Sequence, residues 1–138
     1  MKKILVAIDI DRGGGNDMVL TAAQQLARAM DGTVMALHVI SPIPTYVLAE
    51  VPKDILQNRM TKAEENLREM AARHGCTNTM VREGSPATEI LEYAEKIEAD
   101  LIVLHSHDPD ISNYFLGSVA GRVVRHAHCS VHIVRHAK

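Results

Sequence analysis

Residues 101–124 read LIVLHSHDPDISNYFLGSVAGRVV. Four aliphatic residues come first, then a polar loop holding Tyr114 and Phe115, then Gly117-Ser118 ahead of an amphipathic run. A short, continuous apolar run bounded by turn chemistry suits a strand covered on both faces. The Gly-Ser pair opens a helix. A helix start leaves backbone N–H groups without partners inside the helix, and here a hydroxyl lies beside them. An anion such as phosphate can sit at such a place.

Working outward, the same alternation repeats. Residues 3–10 (KILVAIDI) form a nearly continuous apolar run that ends in an acid, a buried strand delivering Asp9 at its carboxyl end. Residues 11–16 (DRGGGN) are loop chemistry, read as a connector or as a ligand contact. They are not a phosphate loop, because the Lys-Ser/Thr ending is missing. Residues 17–30 carry Val19, Ala22, Ala23, Leu26, Ala27 and Met30 at helical spacing, and Asp31-Gly32 stops them. Residues 33–40 (TVMALHVI) are a second buried strand, with His38 read as a core or edge residue.

Residues 41–52 hold three prolines and no regular period, a long connection of the kind that is often functional. Residues 53–74 form a long helix with Leu56, Met60, Ala63, Leu67, Met70 and Ala71 on one face. Residues 77–83 are more polar, as an edge strand should be. Ser85-Pro86 then caps and starts a helix to about Ile97. After the 101–104 strand and its loop, residues 118–127 are a helix with Val119, Val123, Val124 and Ala127 on one side. Residues 130–135 (SVHIVR) are the fifth strand. Strands alternating with helices imply an α/β fold, a single doubly wound, mostly parallel sheet with helices on both faces. In such a sheet ligands bind beyond the carboxyl ends of the strands, where the winding reverses. If strands one and four are neighbours, Asp9 and the loop from His105 to Ser118 share that crevice.

The totals narrow the function. At 138 residues the chain reads as one domain, residues 1–138. A formal net charge of −2 gives no sign of a nucleic-acid partner, and 3% aromatic residues give little to stack bases on. No run approaches the ~18 apolar residues of a membrane span. The two cysteines, Cys76 and Cys129, stand far apart in no ligand-like spacing, which fits a reducing compartment and a cytoplasmic location.

Candidate chemistry is sparse. Gly117 allows close backbone approach and Ser118 adds a hydroxyl, for a phosphate or simply as a helix cap. Asp9 suits a pair of ribose hydroxyls, or the organisation of a turn. Asp108 and Asp110 bring negative charge to the loop, with no Lys or Arg there to offset it. They take an outer position, recruit Mg²⁺ through water, or disfavour a longer phosphate chain relative to a shorter one. His105-x-His107 and His126-x-His128 could chelate, but they straddle element ends and form no convincing metal set. No residue is assigned a catalytic role. Ser118 lacks the elbow of a nucleophile, and nucleotide hydrolysis would need a positioned base and a charge clamp, work to which no Lys or Arg is assigned.

The pattern resembles the universal stress protein family over essentially the whole chain. The likeness rests on KILVAIDI, the ALHVI of the second strand, EGSPATEIL, ADLIVLHSH and, most specifically, LGSVAGRVVRHAHCSVHIVR. ATP-binding members carry a glycine, two residues, a second glycine, nine residues and a Gly-Ser/Thr pair. Here the final pair is Gly117-Ser118, His105 and Asp108 stand at the first two glycines, and the gap is one residue short. SHDPDISNYFLGS is similar to a subgroup with an S-H-x-P-D loop in their place. The resemblance implies a sheet in the order 3-2-1-4-5, the adenine nucleotide alpha hydrolase-like arrangement. It implies a homodimer through residues 130–135, and an adenine nucleotide (ATP, ADP or AMP) as ligand in a stress-response or regulatory role. The alternative is an interaction module of the same fold that no longer binds nucleotide. By position, Asp9 would bond the ribose. Ala7 and Val39 would lie against adenine, His105 and Ser106 near the ribose, and Gly117, Ser118 and Val119 at the phosphates, with Ile8 and His107 in the same nucleotide-binding set.

Overall fold

The computed structural model describes residues 2–11, 15–106 and 117–135. In chain order the elements are β1 (Lys2–Ile8), α1 (Asn16–Met30), β2 (Gly32–Ile40), α2 (Thr45–Leu48), α3 (Lys53–Ala72), β3 (Asn78–Glu83), α4 (Pro86–Lys96), β4 (Leu101–His105), α5 (Ser118–His126) and β5 (Ser130–Val134). The strands form one sheet in the order β3-β2-β1-β4-β5. Every neighbouring pair is parallel. The α/β class expected from the sequence and the 3-2-1-4-5 order implied by the resemblance are those of the molecule.

Strand alternation divides the interior into two cores. Ile4, Val6 and Ile8 of β1 face one way and pack with Val19, Leu20 and Ala23 of α1 and Leu67 and Ala71 of α3. Leu5 of β1 faces the other way and packs with Ile90 and Tyr93 of α4 and Ala120 and Val123 of α5. This is the period of two in a strand buried on both faces. The continuous apolar runs in β1 and β4 follow from it: each residue of Leu101–His105 is buried. Leu67 is fully buried in the first core, and truncating a side chain so placed costs about 2–5 kcal/mol.

Several boundaries differ from the sequence reading, each for a local reason. The first strand stops at Ile8, because side chains rather than a neighbouring strand take the backbone groups beyond it. The long helix stops at Ala72, where Gly75 takes a left-handed φ of 75°. Cys76 N–H then donates to Ala71 O at 3.0 Å and Gly75 N–H to Ala72 O at 3.0 Å, the paired bonds that close a helix end through a left-handed residue. The irregular 41–52 connection contains the single turn α2. In α5 the inward stripe is Ala120 and Val123, while Val124 is exposed: one residue on from Val123 is 100° around the helix. Ser85 precedes α4, but its side chain makes no capping bond. No described helix is long and apolar enough to cross a membrane.

The winding direction positions the site. α1 follows β1 on the face of the first core, and α5 follows β4 on the face of the second. β1 and β4 are neighbours, so the chain leaves them on opposite faces and a crevice opens between their carboxyl ends.

Candidate functional site

That crevice is a cavity of about 350 Å³. Its floor is Ala7 and Ile8 of β1, Leu37 to Val39 of β2, and Leu104 and His105 of β4. Asp9 stands at the end of β1, and Gly117, Ser118, Val119 and Ala120 form the opposite wall. Pro86 and Ile90 of α4 and Ser41 complete it. Its volume lies within the range of small-molecule pockets, ~300–1,000 Å³.

The three buried polar side chains among the described residues, Asn16, His38 and His105, all gather around the exit of β1. A buried polar group needs a partner. His38 Nδ1 lies 3.0 Å from Ile8 O and 3.4 Å from Ile10 N. One ring nitrogen cannot donate and accept at once, and the shorter contact assigns the hydrogen to Nδ1, donating to the carbonyl. Asn16 Nδ2 donates to Asp9 O at 2.7 Å, and Asn16 Oδ1 accepts from Asp9 N–H at 3.2 Å. On the other side Gly15 lies against the His105 ring, where an added Cβ would come within 3.1 Å of it. The glycine therefore serves a close approach between the start of α1 and β4. Asp9 Oδ1 accepts from Asp11 N–H at 3.1 Å, so this carboxylate does organise a turn, while the residue still lines the cavity.

The opposite wall is the start of α5. Gly117 is extended, with φ −61° and ψ 163°, and its carbonyl takes the first helical bond from Gly121 N–H at 2.8 Å. The N–H groups of the first turn thus have no partner inside the helix. No acid lies in that first turn, so the positive end of the helix dipole is not offset there. No Lys or Arg lines the cavity among the described residues. Arg82, level with Val39 on the adjoining strand, is engaged elsewhere. Its Nε donates to Glu89 Oε1 at 2.7 Å, and its guanidinium lies 5.4 Å from the centre of the Tyr93 ring. Arg59 holds the rim instead, donating to Ser41 O at 2.7 Å and to Glu83 at 3.2 Å. The arrangement offers an apolar floor, one carboxylate and a helix start.

Of the residues singled out from the sequence, Ala7, Ile8, Asp9, Val39, His105, Gly117, Ser118 and Val119 come together around this cavity. Ser106 does not line it, since its N–H extends the β4 ladder by donating to Val134 O at 3.0 Å. His107, Asp108 and Asp110 lie outside the described residues. His126 and His128 are far from it, in a second cavity at the opposite end of the sheet. Sequence reasoning missed Leu37, His38, Ser41, Pro86, Ile90, Leu104 and Ala120 as lining residues, and it missed the bonds of Asn16. The signal for Asn16 was present, as a side-chain amide opening a helix right after a glycine loop.

The chain matches the universal stress protein family over residues 1–135. It is 35% identical over 147 residues to a universal stress protein of Methanocaldococcus jannaschii, MJ0531, spanning 99% of this chain and 84% of that one. It is 30% identical to universal stress protein G of Shigella flexneri, spanning 97% of this chain and 99% of that one. Among solved structures it superposes on universal stress protein UspA from Lactobacillus plantarum with a TM-score of 0.75 at 24% identity, covering 98% and 99% of the two chains. It also superposes on a universal stress protein in complex with cAMP, with a TM-score of 0.67 at 22% identity, covering 97% and 96%. The chain belongs to the universal stress protein family.

Proposed function

We propose that this universal stress protein binds an adenine nucleotide in the crevice between β1 and β4 and acts as a dimeric regulatory protein rather than by turnover. One observation carries the reading. Asp9, the apolar strand ends at Ala7 and Val39, and the start of α5 at Gly117–Val119 border one cavity, in the sequence of chemistries that a nucleotide presents. Adenine lies on the apolar floor, with the backbone of Val39 at its edge. The Asp9 carboxylate accepts from ribose hydroxyls, as an acid does in dinucleotide-binding sheets. The phosphates meet the N–H groups of Ser118 and Val119 and the Ser118 hydroxyl. His105 backs the ribose from beneath.

With no Lys or Arg around the cavity among the described residues, AMP is favoured over ATP unless Mg²⁺ accompanies the longer phosphate chain. The cAMP-bound neighbour shares the fold alone, so cAMP enters as a ligand to be tried. The two free thiols fit a cytoplasmic protein. β5 is the outer strand next to β4, and an open strand edge is a ready place for a second copy. Light scattering of wild type and of a variant with proline at Val131 tests that seam, with a dimer for the first and a monomer for the second.

Mass spectrometry of the denatured, freshly purified protein tests the ligand directly, by releasing an adenylate. Thermal unfolding with added AMP, ADP, ATP with Mg²⁺, and cAMP ranks them. A ligand held at a hundred times its Kd adds about 2.7 kcal/mol of apparent stability. No released nucleotide and no thermal shift with any of the four would reject the reading.

A further inference from the structure

We infer that Asn16 is a positioning residue that sets the Asp9 carboxylate against the ribose, an inference that rests on the nucleotide reading above. The ladders of β1 end before Asp9. Its last pair with β4 is Val6 with Val103, and its last pair with β2 is Ile8 with His38. Asp9 is thus the first residue whose peptide groups no strand holds, and it is the one whose side chain matters most in the cavity.

Asn16 replaces the missing strand. Its carboxamide meets both backbone groups of Asp9, accepting from the N–H at 3.2 Å and donating to the carbonyl at 2.7 Å. A carboxamide presents a donor and an acceptor side by side in one planar group. The pair of bonds fixes the plane of the Asp9 backbone, and so the direction of its Cα–Cβ bond. Asn16 is itself held, being 6% exposed and the first residue of α1. Val19 N–H bonds Gly15 O at 3.1 Å in that turn, and Val19 and Leu20 are sunk in the first core. Gly15 presses on the His105 ring of β4. The backbone of Asp9 is therefore tied to a helix packed on the sheet, while its Oδ1 also accepts from Asp11 N–H at 3.1 Å. A pre-set carboxylate spends less of its binding free energy on being ordered.

The test compares 5′-AMP with its 2′,3′-dideoxy analogue by calorimetry, in wild type, Asn16→Ala, Asp9→Ala and the double variant. If Asn16 acts through Asp9, Asn16→Ala weakens 5′-AMP about tenfold, the worth of a hydrogen bond to a charged group. It leaves the dideoxy analogue unchanged, and it adds nothing to Asp9→Ala. Asn16→Asp keeps the shape but turns an oxygen toward the Asp9 carbonyl, and it falls at least as far. Equal weakening for both ligands, or losses that add in the double variant, would overturn the inference and leave the nucleotide reading standing. Failure of wild type to bind any adenylate would remove both. A measurement on the intact protein covers a variant that does not fold. The Asp9 amide hydrogen is protected from exchange without ligand, and free exchange there rejects the clip.

Discussion

Two cavities at opposite ends of the sheet share α4, β4 and α5 and have opposite electrical character. The one at the carboxyl ends of the strands holds about 350 Å³ and faces the starts of α4 and α5. The other, about 260 Å³, lies where those helices finish, lined by Glu92, Glu95, Glu98, His126, His128 and Cys129. Parallel βαβ winding forces this asymmetry, because every helix begins near the strand ends and finishes near the strand starts. Helix dipoles then make the first end favourable to anions and the second favourable to cations. The three glutamates deepen the contrast at the second. Hence the size of a hole says little about its ligand, while the direction of the helices around it says much.

The sharpest way to break the contrast is to move the charge. Val119→Glu places a carboxylate in the first turn of α5, beside the proposed phosphates. Repulsion at such short range is worth several kcal/mol even when screened, so adenylate affinity should fall roughly a hundredfold or more. The same carboxylate suits a helix start by about 0.3–1 kcal/mol, so thermal unfolding should not drop to match. A loss of both together would mean that the site and the fold fail as one.

A smaller effect is expected from Ser118→Ala. It removes a hydroxyl but leaves the N–H groups, so affinity should fall about three- to tenfold by calorimetry. Gly15→Ala probes the support under the first cavity. Its methyl must push the His105 ring from 3.1 Å, an overpacking worth about 1 kcal/mol, or about 4 °C in melting temperature for a chain of this size. A melting point equal to wild type would show that the ring gives way freely.

Cys129 reports on the second cavity. Burial, and then the charge of Asp100, push its thiol above the ordinary value. A raised folded value means that the unfolded chain ionises first. The stability from a neutral Cys129 is therefore whole below the ordinary thiol range, about 8.5, and is lost as pH climbs through the raised value. Cys129→Ser should flatten that alkaline decline in a denaturation series. Smallest of all, Glu98→Gln should leave adenylate affinity unchanged, since this residue lines only the far cavity. A gain or loss there would mean that the two ends communicate.

How much of this the sequence carried depends on the range of the interaction. β1, β2 and β4 were readable because burial on both faces writes an unbroken apolar run, as in ILVAI or LIVL. Asp9 and Gly117-Ser118 were readable because strand tips and helix starts announce themselves locally. The strand order came from resemblance, since no local pattern says that Leu101 will lie beside Ile4. Asn16 escaped for the same reason, and His38 was readable as a core residue but not by its partner. Their meaning lies in bonds to Asp9 and Ile8, seven and thirty residues away, and the same side chains on a surface would look no different. Val124 was misplaced because three valines in α5 share one chemistry, and only the angle around the helix separates them.

The crevice beside β1 is a by-product of geometry before it is a feature of any side chain. Two neighbouring strands whose outgoing segments part to opposite faces must leave a gap, as two curtains drawn from the middle leave a window. Point substitutions can repaint the frame, but the opening persists while the strand order persists. Descendants of this chain would on that account inherit a vacancy able to change tenants without refolding.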